Sequence, residues 1–290
     1  MNVFVSPYQN PFINLALEDH FLRGGADLPL LFFYVNRPSV VLGRFQNPWL
    51  ECNLPYLVEK DIWLVRRQSG GGCVFHDEGN LNYCFIYPDA MINRSRGVEF
   101  MQKAFARAEI QLEISPRHDL WLDGRKISGS AFKQTKFGSF HHGTFLVSSN
   151  MDNLEESLKH TIIPKESKSI PSVRSKVIKL QEKFPEVTIQ DVIDLVAYEL
   201  KTVPRILEGS LLSLTEVQDS FRSLTHWDWL WGETPAFELQ NGIKVHKGLV
   251  KEPFEGRFEK TLMANHLDPE ECDKIFADFS HQYKAASEVF

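Results

Sequence analysis

The sequence predicts an α/β fold, a large mixed domain followed by a small α+β tail, and three observations carry that prediction. Strands and helices interleave closely over about the first 150 residues. A chain of 290 residues exceeds one small core and accommodates a large domain plus a small one. Past residue 235 a hairpin signal, Asn241-Gly242, is followed by a strong helix start, Asp268-Pro269-Glu270-Glu271. The expected domains are therefore 1–235 and 236–290.

Taken in order, Asn10-Pro11 caps and opens a helix that runs to about Arg23, where Gly24-Gly25 stops it. Leu30 to Val35 is a continuous apolar run, read as a buried strand, and Val40 to Leu42 as a short second one. Asn53 caps a helix with Pro55 in its first turn. Ile62 to Val65 leads into Arg66-Arg67 and Ser69-Gly70-Gly71-Gly72, and Leu81 to Tyr87 is the next strand. Val98 to Ile110 suits a helix. Leu120 to Leu122 and Lys126 to Phe132 read as a hairpin about Asp123-Gly124, and His141 to Ser148 as a strand. Thr161 to Val177 shows no periodicity and reads as a long loop. Thr188 caps a helix through about Leu200. A linker-like stretch and the cluster Trp227, Trp229, Trp231 follow.

Composition excludes several classes. Apolar residues at 43% and charged residues at 24% are ordinary for a soluble globular chain. A net charge of −6 without a Lys/Arg run argues against a nucleic-acid partner. Cys52, Cys73, Cys84 and Cys272 are widely spaced and form no Cys-x-x-Cys pair, which fits reduced thiols. The start, Met1-Asn2-Val3-Phe4, is neither a secretory signal nor an Arg-rich transit peptide, and no apolar run approaches the ~20 residues of a membrane span. The expected location is cytoplasmic.

The chemistry concentrates in three stretches. In Arg66-Arg67-Gln68-Ser69-Gly70-Gly71-Gly72-Cys73-Val74-Phe75-His76-Asp77, three glycines let backbone N–H groups converge on an anion, and two arginines can add bidentate contacts. The loop is not a P-loop, because no Gly-Lys-Ser/Thr follows, and lacks the dinucleotide spacing Gly-x-Gly-x-x-Gly. Lys126 opens a run of small residues, Ile127-Ser128-Gly129-Ser130-Ala131, over which a bulky ligand can lie. His141 and His142 alternate across a strand and cannot easily share a metal, and no ligand-spaced partner completes a zinc site. No metal site is expected. Cys73 is read as an inert thiol.

These stretches together resemble the lipoate–protein ligase A and lipoyltransferase family. The matching motifs are Asn14-Leu15-Ala16-x-Glu18, Val40-Val41-Leu42-Gly43-Arg44-x-Gln46-Asn47-Pro48-Trp49-x-Glu51-Cys52-Asn53, the Arg66 to Asn80 stretch, Lys126 to Ala131 with His141-His142-Gly143-Thr144, and Ser172-Val173-Arg174-Ser175. They span about residues 10–235 in fixed order, which makes the likeness specific.

The resemblance implies the biotin/lipoate ligase fold, related to class II aminoacyl-tRNA synthetase cores. It implies that lipoate, ATP and Mg2+ give lipoyl-AMP and pyrophosphate, with no tightly bound cofactor. The lipoyl group then passes to a lysine of an apo lipoyl domain, in a 2-oxoacid dehydrogenase E2 or the glycine cleavage H protein. Lys126 matches the essential lysine. Glu18, Tyr34, Arg67, Ser69, Gly71, Gly72, Val74, Phe75 and His76 match lipoate or lipoyl-AMP positions. Gly72, Phe75, Asp119, Lys126, Ser128 and Arg174 match the nucleotide side, and Lys165 and Lys168 lie in the loop that orders over the adenylate. Phe32, Tyr34, Val74 and Phe75 supply an apolar slot if their strands are neighbours. A monomer is expected, with no membrane partner.

The tail, residues 236–290, is shorter than the family's accessory domain, which assists adenylate formation. A lipoyltransferase acting on preformed lipoyl-AMP, or helped by a separate activating partner, is therefore the alternative to a full ligase. A non-catalytic lipoate- or nucleotide-binding protein is a third reading, which the intact Lys126 and glycine loop disfavour. A cysteine-dependent octanoyltransferase is disfavoured because 161–177 contains no cysteine.

Overall fold

The structure, a computed structural model, describes residues 1–88, 93–160, 163–240, 242–247, 249–251 and 256–257. The helix start at Asp268, Cys272, Asn241 and the first two residues of the 161–177 stretch lie outside the described residues. The chain divides into two compact units. The first comprises 1–37, 76–150 and 174–220, and the second 38–75, 151–173 and 221–290. This division does not fall at residue 235, and residues on both sides of that position belong to the second unit.

The first unit is built on a six-stranded sheet in the order Ser130–Thr135, Gly138–Leu146, Asn80–Tyr87, Leu30–Val35, Asn2–Val5, Arg205–Ile206. Its first four strands pair antiparallel, and the last two add in parallel. Asn80–Tyr87 is buried along its whole length, as a central strand covered on both faces must be. Pro11–Leu22 covers one face. Asn10 caps it by accepting N–H bonds from Phe12 and Ile13, and every residue of the helix is buried. Ser95–Arg107 covers the other, where Gly97 comes so close to His141 that a Cβ would strike Nδ1. This helix ends before the expected Ile110, because Glu109 turns into the left-handed region at φ 60°.

A three-stranded antiparallel sheet, Glu113–Ile114, Leu120–Leu122 and Arg125–Ser128, completes the strands of this unit. The single strand expected from Lys126 to Phe132 is thus broken at Gly129, and its halves join different sheets.

The second unit holds a sheet ordered Trp63–Arg66, Ser39–Leu42, Val74–His76, the last strand ending where the chain re-enters the first unit. Its core gathers Val40, Leu42, Trp49, Leu57, Ile62, Leu64 and Phe75 with Leu230, Trp231, Phe237 and Val245. The indole of Trp49 packs 5.0 Å from Trp231 and 6.0 Å from Phe237, centroid to centroid. A further antiparallel sheet runs Pro164–Ser167, Phe237–Leu239, Lys244–His246, Leu249–Lys251, Gly256–Arg257.

Two expectations are corrected here. The stretch 161–177 is not without regular structure, since Pro164–Ser167 is a paired strand. The stretch after Leu200 is not a linker but contains the helix Thr215–Thr225, with Val217, Phe221 and Leu224 buried. Their spacing of four and three residues is a helical period that polar neighbours such as Gln218, Asp219 and Ser220 dilute. Among the described residues no helix is long and apolar enough to cross a membrane.

Candidate active site

In the first unit, Pro11–Leu22 carries Glu18 over the sheet, where its buried carboxylate meets two donors. Tyr34 Oη donates to Oε1 at 3.0 Å, and His142 Nδ1 lies 2.9 Å from Oε2. A carboxylate only accepts, so His142 presents Nδ1–H to it. Cys84 stands opposite His142 on the neighbouring strand, and burial and then the Glu18 carboxylate push its thiol well up. His141, one residue along, points to the other face, as strand alternation requires. There its Nε2 lies 2.8 Å from Ser130 Oγ, and its ring stacks on Phe132 at 4.6 Å. A chain of amides ties down His76: Asn14 Nδ2 donates to Asn36 Oδ1, and Asn36 Nδ2 donates to His76 Nδ1 at 3.0 Å.

The same unit presents Lys126. Its Nζ sits 3.0 Å from Asp119 Oδ2, while Asp119 Oδ1 accepts the Ser130 N–H. Gly129 leaves room for this lysine, since a Cβ there would lie 3.1 Å from Nζ. The Lys126 backbone is fixed on both sides by the 174–178 segment: its N–H donates to Lys176 O, and Ile178 N–H donates to Lys126 O. Arg174, exposed, lies two residues before that anchor. Ser128 is buried with Oγ 3.0 Å from Tyr83 Oη, and burial pushes the Tyr83 phenol up to about 12.

In the second unit the two arginines differ from expectation. Arg66 is fully buried and donates to the carbonyls of Arg44, Gln46 and Leu230. Arg67 donates to Ser69 Oγ and to the carbonyls of Val41, Gly70 and Gly72 at 2.7–3.0 Å. Both guanidiniums shape the backbone around the glycine loop instead of standing as surface forks for an anion. Gly71 adopts φ 90°, a conformation that favours glycine. The Phe75 side chain lies in the core of this unit, while Val74, on the other face of the short strand, is partly exposed. The apolar slot expected from Phe32, Tyr34, Val74 and Phe75 does not form through strand adjacency. Leu30–Val35 pairs with Asn2–Val5 and Asn80–Tyr87, whereas Val74–His76 lies beside Ser39–Leu42.

Ser172, visible in the sequence only as part of a matching motif, is the centre of a hub whose partners no local pattern indicates. Its Oγ accepts from Gln46 Nε2 at 2.8 Å and from Cys73 N–H at 2.9 Å, and its own N–H donates to Glu51. The motif containing Gln46 and Glu51 was visible, but no local pattern pairs it with a serine more than a hundred residues away. Lys165 forms an ion pair with Glu238 at 2.6 Å, and Lys168 is exposed.

The first unit thus combines a mixed sheet with helices on both faces, a buried carboxylate network and a lysine held beside an aspartate. The model of the lipoyl protein ligase A/B catalytic domain matches residues 10–201. Lipoate-protein ligase A of Psychrobacter cryohalolentis is 34% identical over 263 residues, covering 86% of this chain and 78% of the relative. The chain belongs to the lipoate-protein ligase family and is an enzyme of it. Among solved structures, P. falciparum LipL1, in complex with lipoate, superimposes with a TM-score of 0.71 at 25% identity, covering 86% of this chain and 82% of that one. A lipoate-protein ligase A bound with ATP shares the fold, with a TM-score of 0.64 at 23% identity over 79% of this chain and 98% of that one. So does a bi-partite lipoate protein ligase from Thermoplasma acidophilum, determined with its E2 lipoyl domain, with a TM-score of 0.64 at 22% identity over 79% and 96%.

Proposed function

We propose that this lipoate-protein ligase carries out both half-reactions in the cytoplasm as a monomer, joining lipoate to a lysine of apo lipoyl domains of 2-oxoacid dehydrogenase E2 and of glycine cleavage H protein. The relatives solved with lipoate, with ATP and with an E2 lipoyl domain support this reading. The observation that carries it is Lys126, a partly exposed ammonium held by Asp119 over the bare backbone of Gly129.

In the first step a lipoate carboxylate oxygen attacks the α-phosphorus of ATP and pyrophosphate leaves. Lys126 offsets the charge that grows on the acyl-phosphate oxygens. In the second, the neutral amine of the acceptor lysine attacks the acyl carbon, AMP departs with the bonding pair, and the amine loses its proton. Glu18, Tyr34 and His76 are assigned to the lipoyl side and Asp119, Ser128 and Arg174 to the nucleotide. Ser69, Gly71, Gly72 and Val74 are assigned to the adenylate-binding loop, and Arg67 acts through the loop carbonyls it holds. Phe75 contributes backbone only.

Mg2+ enters with the ATP phosphates. Among the described residues the three donors close enough for a metal are those of Glu18, Cys84 and His142, and a thiol with an imidazole suits a hard, oxygen-seeking ion poorly. No residue of this chain is assigned to Mg2+.

One second reading remains: a transferase that needs lipoyl-AMP supplied to it. Pyrophosphate release from lipoate and Mg-ATP, followed by a lipoyl mass increment on an added apo lipoyl domain, supports the full ligase. Modification only from synthetic lipoyl-AMP establishes the transferase. Failure with both donors overturns the proposal.

A further inference from the structure

Cys73 closes the glycine loop, and its Sγ lies 3.8 Å from Sγ of Cys52. Both thiols are free, Cys73 being partly exposed and Cys52 fully buried. Cys52 has little freedom. It ends the helical turn Pro48–Glu51, donates its N–H to Pro48 O, and its side chain belongs to the core of the second unit. Cys73 is held through its backbone, by the N–H bond to Ser172 Oγ. Ser172 in turn donates to the carboxylate of Glu51, the residue beside Cys52. Two cysteines distant in sequence are therefore brought to one place by contacts that converge on the loop. No ligand role assigned above uses either thiol.

We propose that Cys52 and Cys73 form a reversible redox pair, closing to a disulfide that clasps the glycine loop and switches ligation off; the effect on ligation rests on the proposed function. The oxidant is a hydroperoxide. The Cys73 thiolate, the sulfur open to solvent, attacks one peroxide oxygen, the O–O bond breaks, and hydroxide leaves, giving Cys73 sulfenic acid. Cys52 sulfur then attacks Cys73 Sγ, the S–O bond breaks, and the departing hydroxide takes the Cys52 proton as water. Each sulfur gives up one electron, and the peroxide takes both. A thiol reductant reverses the bond by exchange.

Closing the contact from 3.8 Å to a bond of about 2.05 Å moves sulfur toward sulfur by more than an ångström. Because Cys52 is locked in the core, much of that motion falls on Cys73 and the residues before it. Gly72 has little room to follow, since even a Cβ there would lie 3.1 Å from Ser172 Oγ, and its carbonyl is held by Arg67. The clasp therefore pulls on the loop where it is most constrained.

The test treats purified full-length protein with hydrogen peroxide. Free thiols are alkylated before proteolysis, and cross-linked peptides are mapped by mass spectrometry. Hydrogen exchange of the 69–73 amides and ligation to an apo lipoyl domain are followed in parallel. The expected result is a Cys52–Cys73 cross-link, altered exchange in the loop, and ligation reduced roughly tenfold or more, all restored by dithiothreitol. Cys73→Ala and Cys52→Ser should each ligate as the reduced protein does and resist peroxide. Two alkylatable thiols after peroxide, or sulfinate at Cys73 with Cys52 still free, overturn the pair. A cross-link that leaves ligation and loop exchange unchanged overturns the switch, as does equal peroxide loss in both variants. Reduced protein inactive with every donor, yet cross-linking with altered loop exchange, sinks the functional reading and leaves the redox pair standing.

Discussion

Lys126 Nζ rests 3.0 Å from Asp119 Oδ2, joining the strand Arg125–Ser128 to the residue just before its hairpin partner Leu120–Leu122, with neither side chain fully buried. A single ion pair that solvent still reaches adds about 1 kcal/mol or less to stability. Its importance should appear in turnover. Lys126→Ala is expected to lower ligation by two to three orders of magnitude, in the range of about 10²–10³ for loss of one group that stabilises a transition-state oxyanion. The melting temperature should move little. Single-turnover lipoyl transfer beside a thermal melt checks both, and a variant that ligates normally removes Lys126 from the mechanism.

Tyr34→Phe deletes one donor to the Glu18 carboxylate and leaves it the His142 Nδ1–H and the Cys84 thiol. A buried carboxylate short of a donor costs about 1–3 kcal/mol. If Glu18 and Tyr34 face the lipoyl group, KM for lipoate should rise while kcat with saturating lipoate holds. Steady-state kinetics with lipoate varied decides. A fall in kcat alone would place the pair nearer the reacting atoms.

Much of this architecture was legible in the chain, and the illegible parts share a cause. Asn10, Asn53 and Thr188 cap the helices they were expected to cap, because a cap is a bond between near neighbours. Leu30–Val35 and the glycine-rich turn were readable for the same reason. Arg66, Phe75 and Ser172 were not. Each is defined by partners far along the chain: Leu230 for Arg66, the aromatic core for Phe75, Gln46 and Cys73 for Ser172. Nothing local distinguishes an arginine that binds phosphate from one that binds carbonyls.

Arg66 offers the sharpest test of that distinction. Its guanidinium is fully buried and binds Leu230 O through both Nε and Nη2, at 2.9 and 2.7 Å, with Arg44 O and Gln46 O on Nη1 at 2.8 Å. Arg66→Met strips the carbonyls of Gly43, Arg44, Gln46 and Leu230 of a charged donor, and the loss should exceed roughly 3 kcal/mol. Arg66→Lys should recover only part, because an ammonium cannot reproduce the planar fork. Urea denaturation reads both. A variant as stable as the parent, but weak in nucleotide binding, would restore Arg66 to the role of anion ligand.

Acid sensitivity should trace in part to His141. Burial, with smaller contributions from His142 and His118, pushes its imidazolium down to about 3. The unfolded chain protonates this residue near 6.5 while the folded protein does not, so the unfolded state binds more protons between those values. Stability is therefore complete above about pH 6.5 and falls as the pH drops toward 3, by up to about 1.4 kcal/mol per unit from this group. His141→Gln, though less stable at neutral pH, should show a shallower acid limb when denaturation is followed across pH 4–6. Parallel limbs for parent and variant would remove His141 as the cause.

Gly43 meets the glycine loop where no side chain fits. A Cβ on Gly43 would run into the carbonyl oxygen of Gly71, and backbone on both sides leaves no flexible end to yield. The neighbouring bonds fix the approach: Arg44 N–H donates to Ser69 O, Arg67 N–H to Leu42 O, and Gln46 Oε1 accepts the Gly43 N–H. Gly43→Ala must therefore push the loop away or break one of these bonds. Gly70→Ala serves as the control, because a Cβ there meets nothing within 4 Å. Ligation in Gly43→Ala should fall at least tenfold, with lost protection of the 69–73 amides, while Gly70→Ala stays within a few-fold of the parent. Because the two glycines lie on facing segments, equal losses in both variants would mean that the loop needs backbone freedom rather than clearance. Loss at Gly43 alone would show that close packing of these segments is what positions the loop for its ligand.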